Sequence, residues 1–179
     1  NILCPGEAME VHACIRAAYA HDGPSYIRLG KKGEPVIHDE IPDLTIGQPL
    51  TIRDGKDVSI LSVGTMLPTA MEASDILLKS GINAGVTSFH TVKPLNTDTL
   101  ARAFDTCRLV VTLEEHSLIG GLGSAIAEWV VDQGGITTPL LRIGTPDKFF
   151  SEAGEQEYAR ERLGLDPASV AKTITAKLN

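Results

Sequence analysis

Residues 114–116 read Glu-Glu-His, and glycines follow at 120, 121 and 123. Two carboxylates beside an imidazole can do acid–base work, because neighbouring acids raise the proton affinity of a histidine. A helix opened by glycines has free N–H groups that can receive a carboxylate or a phosphate. The same residues admit a structural use, in which the acids cap that helix, within the chain or across an interface, while His116 satisfies a backbone carbonyl. The structural use is preferred, since neither a nucleophile nor a set of metal ligands accompanies the triplet. A second pair, Arg28 and Lys31, stands three residues apart where a strand ends. A guanidinium fork and a point charge can grip a phosphate; alternatively they are two solvated charges at a strand end.

Other motifs fail against the residues. In GGLGSA, residues 120 to 125, the third glycine of a GxGxxG fingerprint is replaced by Ile126, so a dinucleotide site is not expected. Ser25 and Leu50 occupy the positions where a phosphate-binding loop ending in Gly30-Lys31 or Gly55-Lys56 would need glycine, and Ser124 lacks the flanking glycines of a nucleophile elbow. Histidines 12, 21, 38, 90 and 116 show no metal-ligand spacing with one another or with Cys4, Cys14 and Cys107. Trp129 and Phe149-Phe150 read as core and interface anchors, because no basic residues are interleaved with them as a base-stacking platform requires.

The elements that must position these groups alternate. Ile2-Leu3-Cys4 is a short apolar run closed by Pro5-Gly6, and Ala8, Val11, Ile15 and Ala18 then recur at helical spacing, with Glu7, Glu10 and Arg16 on other faces. After Asp22-Gly23-Pro24, residues 25 to 29 form a second strand. Residues 30 to 49 carry glycines and prolines without a period, as a surface linker does. Residues 50–53 and 58–63 flank a turn and predict an antiparallel hairpin. Thr65 can cap a helix with Leu67, Ala70, Met71, Ser74, Leu77 and Leu78 on one face, ended by Gly81. A strand at 86–89, a helix at 97–106 and an apolar strand at 109–113 follow. Beyond the glycines comes a helix with Leu122, Ala125, Ile126, Trp129 and Val130 on one stripe. A strand at 140–143 and a helix opened by Asp166-Pro167 complete the series. Glu114 to His116 thus emerge at the carboxyl edge of a buried strand, where open α/β sheets hold ligand and interface residues. Strands alternating with helices imply a mostly parallel sheet covered on both faces.

Composition narrows the function classes. The 179 residues hold 16 Lys and Arg against 23 Asp and Glu, a net charge of −7, and no basic run is longer than Lys31-Lys32. Nucleic acid is therefore a poor partner. No apolar run approaches the roughly 20 residues of a membrane span, and three cysteines at unrelated spacings suit a reducing compartment, so a cytoplasmic location is expected. The opening Asn1-Ile2-Leu3-Cys4, already strand-like and without an initiator Met, reads as a piece of a longer polypeptide.

Five segments together resemble the carboxyl-terminal part of the transketolase family of thiamine diphosphate enzymes: DGPSYIRLGKKGEPV (22–36), GKDVSILSVGTML (55–67), FHTVKPLNTDTL (89–100), VVTLEEHSLIGGLGSAIAE (110–128) and LRIGTPDKFFSEAG (141–154). They run in family order over nearly the whole chain. HTVKPLN and EEHSLIGGLGSA look most like bacterial or separately encoded transketolase carboxyl-terminal sections. 1-Deoxy-D-xylulose-5-phosphate synthase is a near second, and the β subunits of 2-oxo-acid dehydrogenase E1 components are more distant.

The resemblance implies a three-layer αβα fold, mostly parallel with one antiparallel edge strand. Residues 1–36 would end a thiamine pyrimidine-binding domain, 37–49 would link, and 50–179 would form the transketolase carboxyl-terminal domain. It implies transfer of a two-carbon ketol unit between phosphosugars, with thiamine diphosphate and Mg²⁺ in the complete enzyme. The GDG-to-Asn-Asn motif that holds the diphosphate is missing, and the Glu that activates the thiamine would lie upstream of Asn1, so this chain alone is expected to bind no cofactor and to be inactive. The implied partners are an amino-terminal section carrying the diphosphate site and a second copy in a homodimer. Lys31 falls on the basic residue that binds the sugar phosphate, where relatives commonly have Arg, and Arg28 matches the preceding Arg of the synthase branch. Glu114, Glu115, His116, Gly120, Gly121 and Gly123 are expected at a contact between subunits or at the opening of their helix. A non-catalytic dimerisation or regulatory domain is the competing class.

Overall fold

The structure, a computed structural model, describes residues 1–31 and 35–179. Among the described residues there are two sheets. β1 (Ile2–Leu3) lies between β2 (Tyr26–Ile27), to which it is parallel, and the antiparallel β6 (Thr91–Lys93). The larger sheet has the order β3 (Leu50–Arg53), β5 (Ala84–Ser88), β4 (Val58–Val63), β7 (Leu109–Ser117), β8 (Leu140–Thr145). All its neighbours are parallel except β3 and β5, so the expected antiparallel strand stands at the edge.

Side-chain alternation along β7 divides the core. Leu109, Val111 and Leu113 face α2 (Leu67–Lys79) and α6 (Pro167–Leu178), through Leu67, Ala70, Leu77, Val170 and Ile174. Val110 faces α3 (Thr97–Thr106) and α4 (Leu122–Gln133), through Leu100, Phe104, Leu122 and Ile126. Each large apolar side chain buried this way contributes about 2 kcal/mol. Trp129 and Val130 pack against this second cluster, the indole tilted on Phe104 at 6.0 Å between ring centres. Phe149 is instead fully exposed in the loop after β8, outside any core.

The expected hairpin does not form. Lys56 N–H donates to the Asn83 side chain, and Asp57 accepts from Asn83 N–H while its own N–H donates to Asn83 C=O. These bonds hold the turn over the start of β5, and a Cβ on Gly55 would lie 1.9 Å from Gly85 N. The backbone therefore crosses β5, leaving β3 beyond it rather than beside β4. Thr65 does not cap α2; it sits in a short 3₁₀ turn, Gly64–Met66, and its hydroxyl turns to the carboxyl edge. Gly81, at φ 80°, follows the helix as expected. Two elements have no counterpart in the sequence pattern: β6, three residues long, and α5 (Gln156–Leu163), which buries no residue and so lacks an apolar period.

The helix α1 (Ala8–Ala20) presents a different face from the one its apolar spacing predicts. Ile15 is exposed, whereas Ala13, Cys14 and the carboxylates of Glu7 and Glu10 are buried. Glu7 caps the helix by accepting from Glu10 N–H and also meets His38 Nδ1 at 3.1 Å. Glu10 accepts from Gly6 N–H at 2.7 Å and from the Ser88 hydroxyl at 2.9 Å, binding the first segment to the end of β5. Cys4 N–H donates to His90 C=O, and Gly64 N–H donates to Cys4 C=O. Residues 1–31 thus sit on the carboxyl edge of the large sheet. No helix among the described residues is long and apolar enough to cross a membrane.

Candidate functional site

β7 is the longest strand of the large sheet and overruns its edge, so consecutive residues there point to opposite sides. Glu114 follows Val110 and Thr112 onto the α4 side and is only 1% exposed. Its Oε2 accepts from Leu122 N–H at 2.9 Å and its Oε1 from Gly123 N–H at 2.8 Å. Gly121, the residue before α4, has no side chain to cap the helix, and the strand supplies the cap from eight residues away. The carboxylate lies on the positive end of the helix, where unpaired N–H groups need acceptors.

Glycines make the room. A Cβ on Gly121 would lie 2.0 Å from Glu114 Oε2, and one on Gly123 would lie 2.9 Å from Oε1 and 2.7 Å from Thr112 Oγ1. A Cβ on Gly144 of β8 would meet Glu114 Cγ at 3.2 Å. Gly120 differs: its requirement is a φ of 81°, and a side chain there would meet nothing within 4 Å. Burial pushes the Glu114 carboxyl above its ordinary range, against the two amides and the charges of His116 and Arg142.

Glu115 faces the α2 side, and its carboxylate gathers polar groups from three places in the chain. It accepts from Arg160 Nη2 at 2.6 Å, from the Thr65 hydroxyl at 2.9 Å and from Gln156 Nε2 at 2.9 and 3.0 Å. The same guanidinium nitrogen donates to the Thr65 hydroxyl oxygen at 3.0 Å. Burial raises this carboxyl too, but the Arg160 and Gln156 bonds, the Arg160 charge and the Thr65 hydroxyl outweigh it and hold the group below the ordinary range. Thr65, Gln156 and Arg160 were missed as partners of the acidic pair. Gln156 and Arg160 are four apart on α5, hence on one face of it, and that spacing was the only local signal.

His116 is exposed, with Nδ1 3.0 Å from Ser117 C=O. Arg28 and Lys31 are exposed as well, and Arg28 Nη2 donates to the Glu115 backbone carbonyl at 3.3 Å. The structure therefore brings Arg28 to the acidic segment and gives both acids internal partners on opposite faces of the sheet.

A family model described as the transketolase carboxyl-terminal domain matches residues 47–170, more than two thirds of the chain. The chain belongs to the transketolase family. A putative transketolase C-terminal section of Methanocaldococcus jannaschii is 33% identical over 99% of this chain and 55% of its own length. The 1-deoxy-D-xylulose-5-phosphate synthase of Vibrio parahaemolyticus is 35% identical over 99% of this chain and 28% of its own. Among solved structures, a split-gene transketolase described as an inactive β4 tetramer superposes with a TM-score of 0.90 at 33% identity, covering 99% of this chain and 57% of that one. The transketolase-family chain here thus spans about half the length, or less, of the curated relatives it matches.

Two outcomes are expected from this geometry. Gly121→Ala should destabilise the fold by about 3 kcal/mol, because it displaces a buried carboxylate from two amides, whereas Gly120→Ala should cost about 1 kcal/mol for its backbone conformation. Urea unfolding distinguishes them; equal losses, or loss of self-association without loss of stability, would contradict the carboxylate's role. Glu115 has a lowered folded pKa, so its contribution is present above the unfolded value and is lost as pH falls through the folded one. Below about pH 4.5, the stability of Glu115→Gln should therefore fall less steeply than that of the wild type. Parallel pH profiles would reject the ion pair as a contributor.

Proposed function

We propose that this chain is the carboxyl-terminal section of a transketolase-type enzyme that transfers a two-carbon ketol unit between phosphosugars. The observation that carries the reading is similarity over 99% of this chain, and 55% of the other, to a relative named as a putative transketolase C-terminal section. In such an enzyme residues 1–36 end the pyrimidine-binding domain, 37–49 link, and 50–179 form the carboxyl-terminal domain.

The carbanion chemistry of such a transfer would be supplied by bound thiamine diphosphate. The residues of this chain do not fit its site: the sequence has no GDG and no Asn-Asn. Among the described residues no group of three His, Cys, Asp or Glu side chains is gathered for a metal. The cofactor and Mg²⁺ then belong to an amino-terminal section, and this section serves assembly of a homodimer. Its part in substrate binding is the sugar phosphate. Lys31 contributes a charge and Arg28 a guanidinium, one nitrogen of which donates to the Glu115 carbonyl.

A second reading has its own support. Arg28, which matches the synthase branch, and 35% identity to a 1-deoxy-D-xylulose-5-phosphate synthase favour that enzyme as the parent. Mixing the protein with its amino-terminal partner decides between them. Ketol exchange between phosphosugars supports the first reading, and formation of 1-deoxy-D-xylulose 5-phosphate supports the second. Neither activity in a complex that forms stably would leave a dimerisation or regulatory domain.

In the active assembly, Lys31→Ala should raise KM for phosphosugars about tenfold, the loss of one charged hydrogen bond, and leave unphosphorylated analogues little changed. Equal effects on both substrates would reject the phosphate contact.

A further inference from the structure

Two carboxyl groups are buried where residues 1–31 meet the large sheet, and their hydrogen bonds are distributed differently. Glu7 is served at both oxygens. Its Oε1 accepts from Glu10 N–H at 2.8 Å and lies 3.1 Å from His38 Nδ1, and its Oε2 accepts from Ile37 N–H at 3.4 Å. Glu10 is served at one oxygen only. Its Oε2 accepts from both Gly6 N–H, at 2.7 Å, and the Ser88 hydroxyl, at 2.9 Å, while its Oε1 is buried without a hydrogen-bond partner among the described residues.

That division is the pattern of a neutral acid. A carboxylate spreads its charge over two oxygens, and each needs donors where water is excluded. In a protonated carboxyl group the carbonyl oxygen can take two donors through its two lone pairs, and the hydroxyl oxygen carries a proton to donate. Oε2 and Oε1 of Glu10 match those two roles. An unused acceptor is at hand on the same side of the sheet: Ser62 stands directly beside Ser88 in the parallel ladder of β4 and β5, and its hydroxyl oxygen is also buried without a partner.

The surroundings oppose a second negative charge beside Glu7. Helix α1 carries the Cys14 thiol one turn after Glu10, and burial pushes that thiol up to about 12, so it is uncharged. The neighbouring Cys4 thiol is raised by burial as well. β5 contributes the uncharged Ser88 hydroxyl, and α2 closes on Gly6 with the apolar Leu67. The linker contributes His38, whose Nδ1 is engaged by Glu7. Burial raises the Glu10 carboxyl above its ordinary range, and the Glu7 charge adds to this, against the Gly6 and Ser88 bonds and His38. We infer that Glu10 is a proton-dependent clasp: held as a neutral acid, it fastens residues 1–31 to the end of β5, and the fastening weakens when the proton leaves to solvent. The inference is independent of the ketol-transfer reading.

A group that is protonated in the fold and ionised in the unfolded chain contributes stability that is complete below its unfolded value, about pH 4.3, and is lost as pH rises through the folded value. The first test needs no variant. Carboxyl ¹³C resonances of the wild-type protein, assigned through their own side chains, should keep Glu10 in the neutral-acid position at pH values where Glu7 and the exposed glutamates have already moved to the carboxylate position. The second test is urea unfolding of Glu10→Gln, which retains a carbonyl for Gly6 and Ser88 and places a permanent donor at the other position. Above the unfolded value, the folding equilibrium of the wild type should fall relative to that of Glu10→Gln by about tenfold per pH unit until Glu10 ionises within the fold. Ionisation of Glu10 together with the exposed glutamates, Glu7 as the later of the pair to ionise, or a constant ratio between the wild type and Glu10→Gln across that range would overturn the proposal.

Discussion

A carboxylate buried at the end of a central strand must find donors for both oxygens or give up its charge. Glu114 finds them in the first amides of α4, and the surrounding residues conform to that contact. Gly121 and Gly123 lack side chains because the carboxylate occupies their space, and Gly144 keeps the neighbouring strand clear of it. The helix needs no capping side chain of its own. With Glu114 committed inward, strand alternation directs Glu115 to the opposite side, where Arg160 anchors α5, a helix without a buried face. One polar contact thus fixes where α4 begins and determines what its neighbouring acid can do.

The two acids illustrate how strand alternation gives neighbouring carboxylates separate surroundings. Burial raises both carboxyls, but only at Glu115 do a guanidinium and two other side-chain donors reverse the direction. Each carboxylate is already enclosed by donors from its own chain.

Much of this was legible in the sequence where a single physical rule dominates. The apolar run at 109–113, Asp before Pro at 166–167 and the glycines before α4 all led to the elements observed. The hairpin failed because the turn chemistry is real but its bonds go to Asn83, a partner 26 residues from Asp57. The burial of Glu7 and Glu10 was hidden because helical periodicity reads carboxylates as solvent-facing, whereas Glu10 accepts from Gly6 N–H and the Ser88 hydroxyl, and Glu7 accepts from the N–H groups of Glu10 and Ile37 and meets His38. The ring of partners around Glu115 was equally non-local, joining residues 65, 115, 156 and 160.

The crossing of Gly55 over Gly85 carries a further consequence. Two backbones pass there at a separation that leaves no space for a methyl group on either, and the turn is tied to Asn83 at both Lys56 and Asp57. The path length between β3 and β4 is therefore fixed by contact. A lengthened or shortened turn would lose register with Asn83. Among descendants of this chain, variation in length should accumulate instead at turns with open surroundings, such as Gly134-Gly135, where added atoms meet nothing within 4 Å.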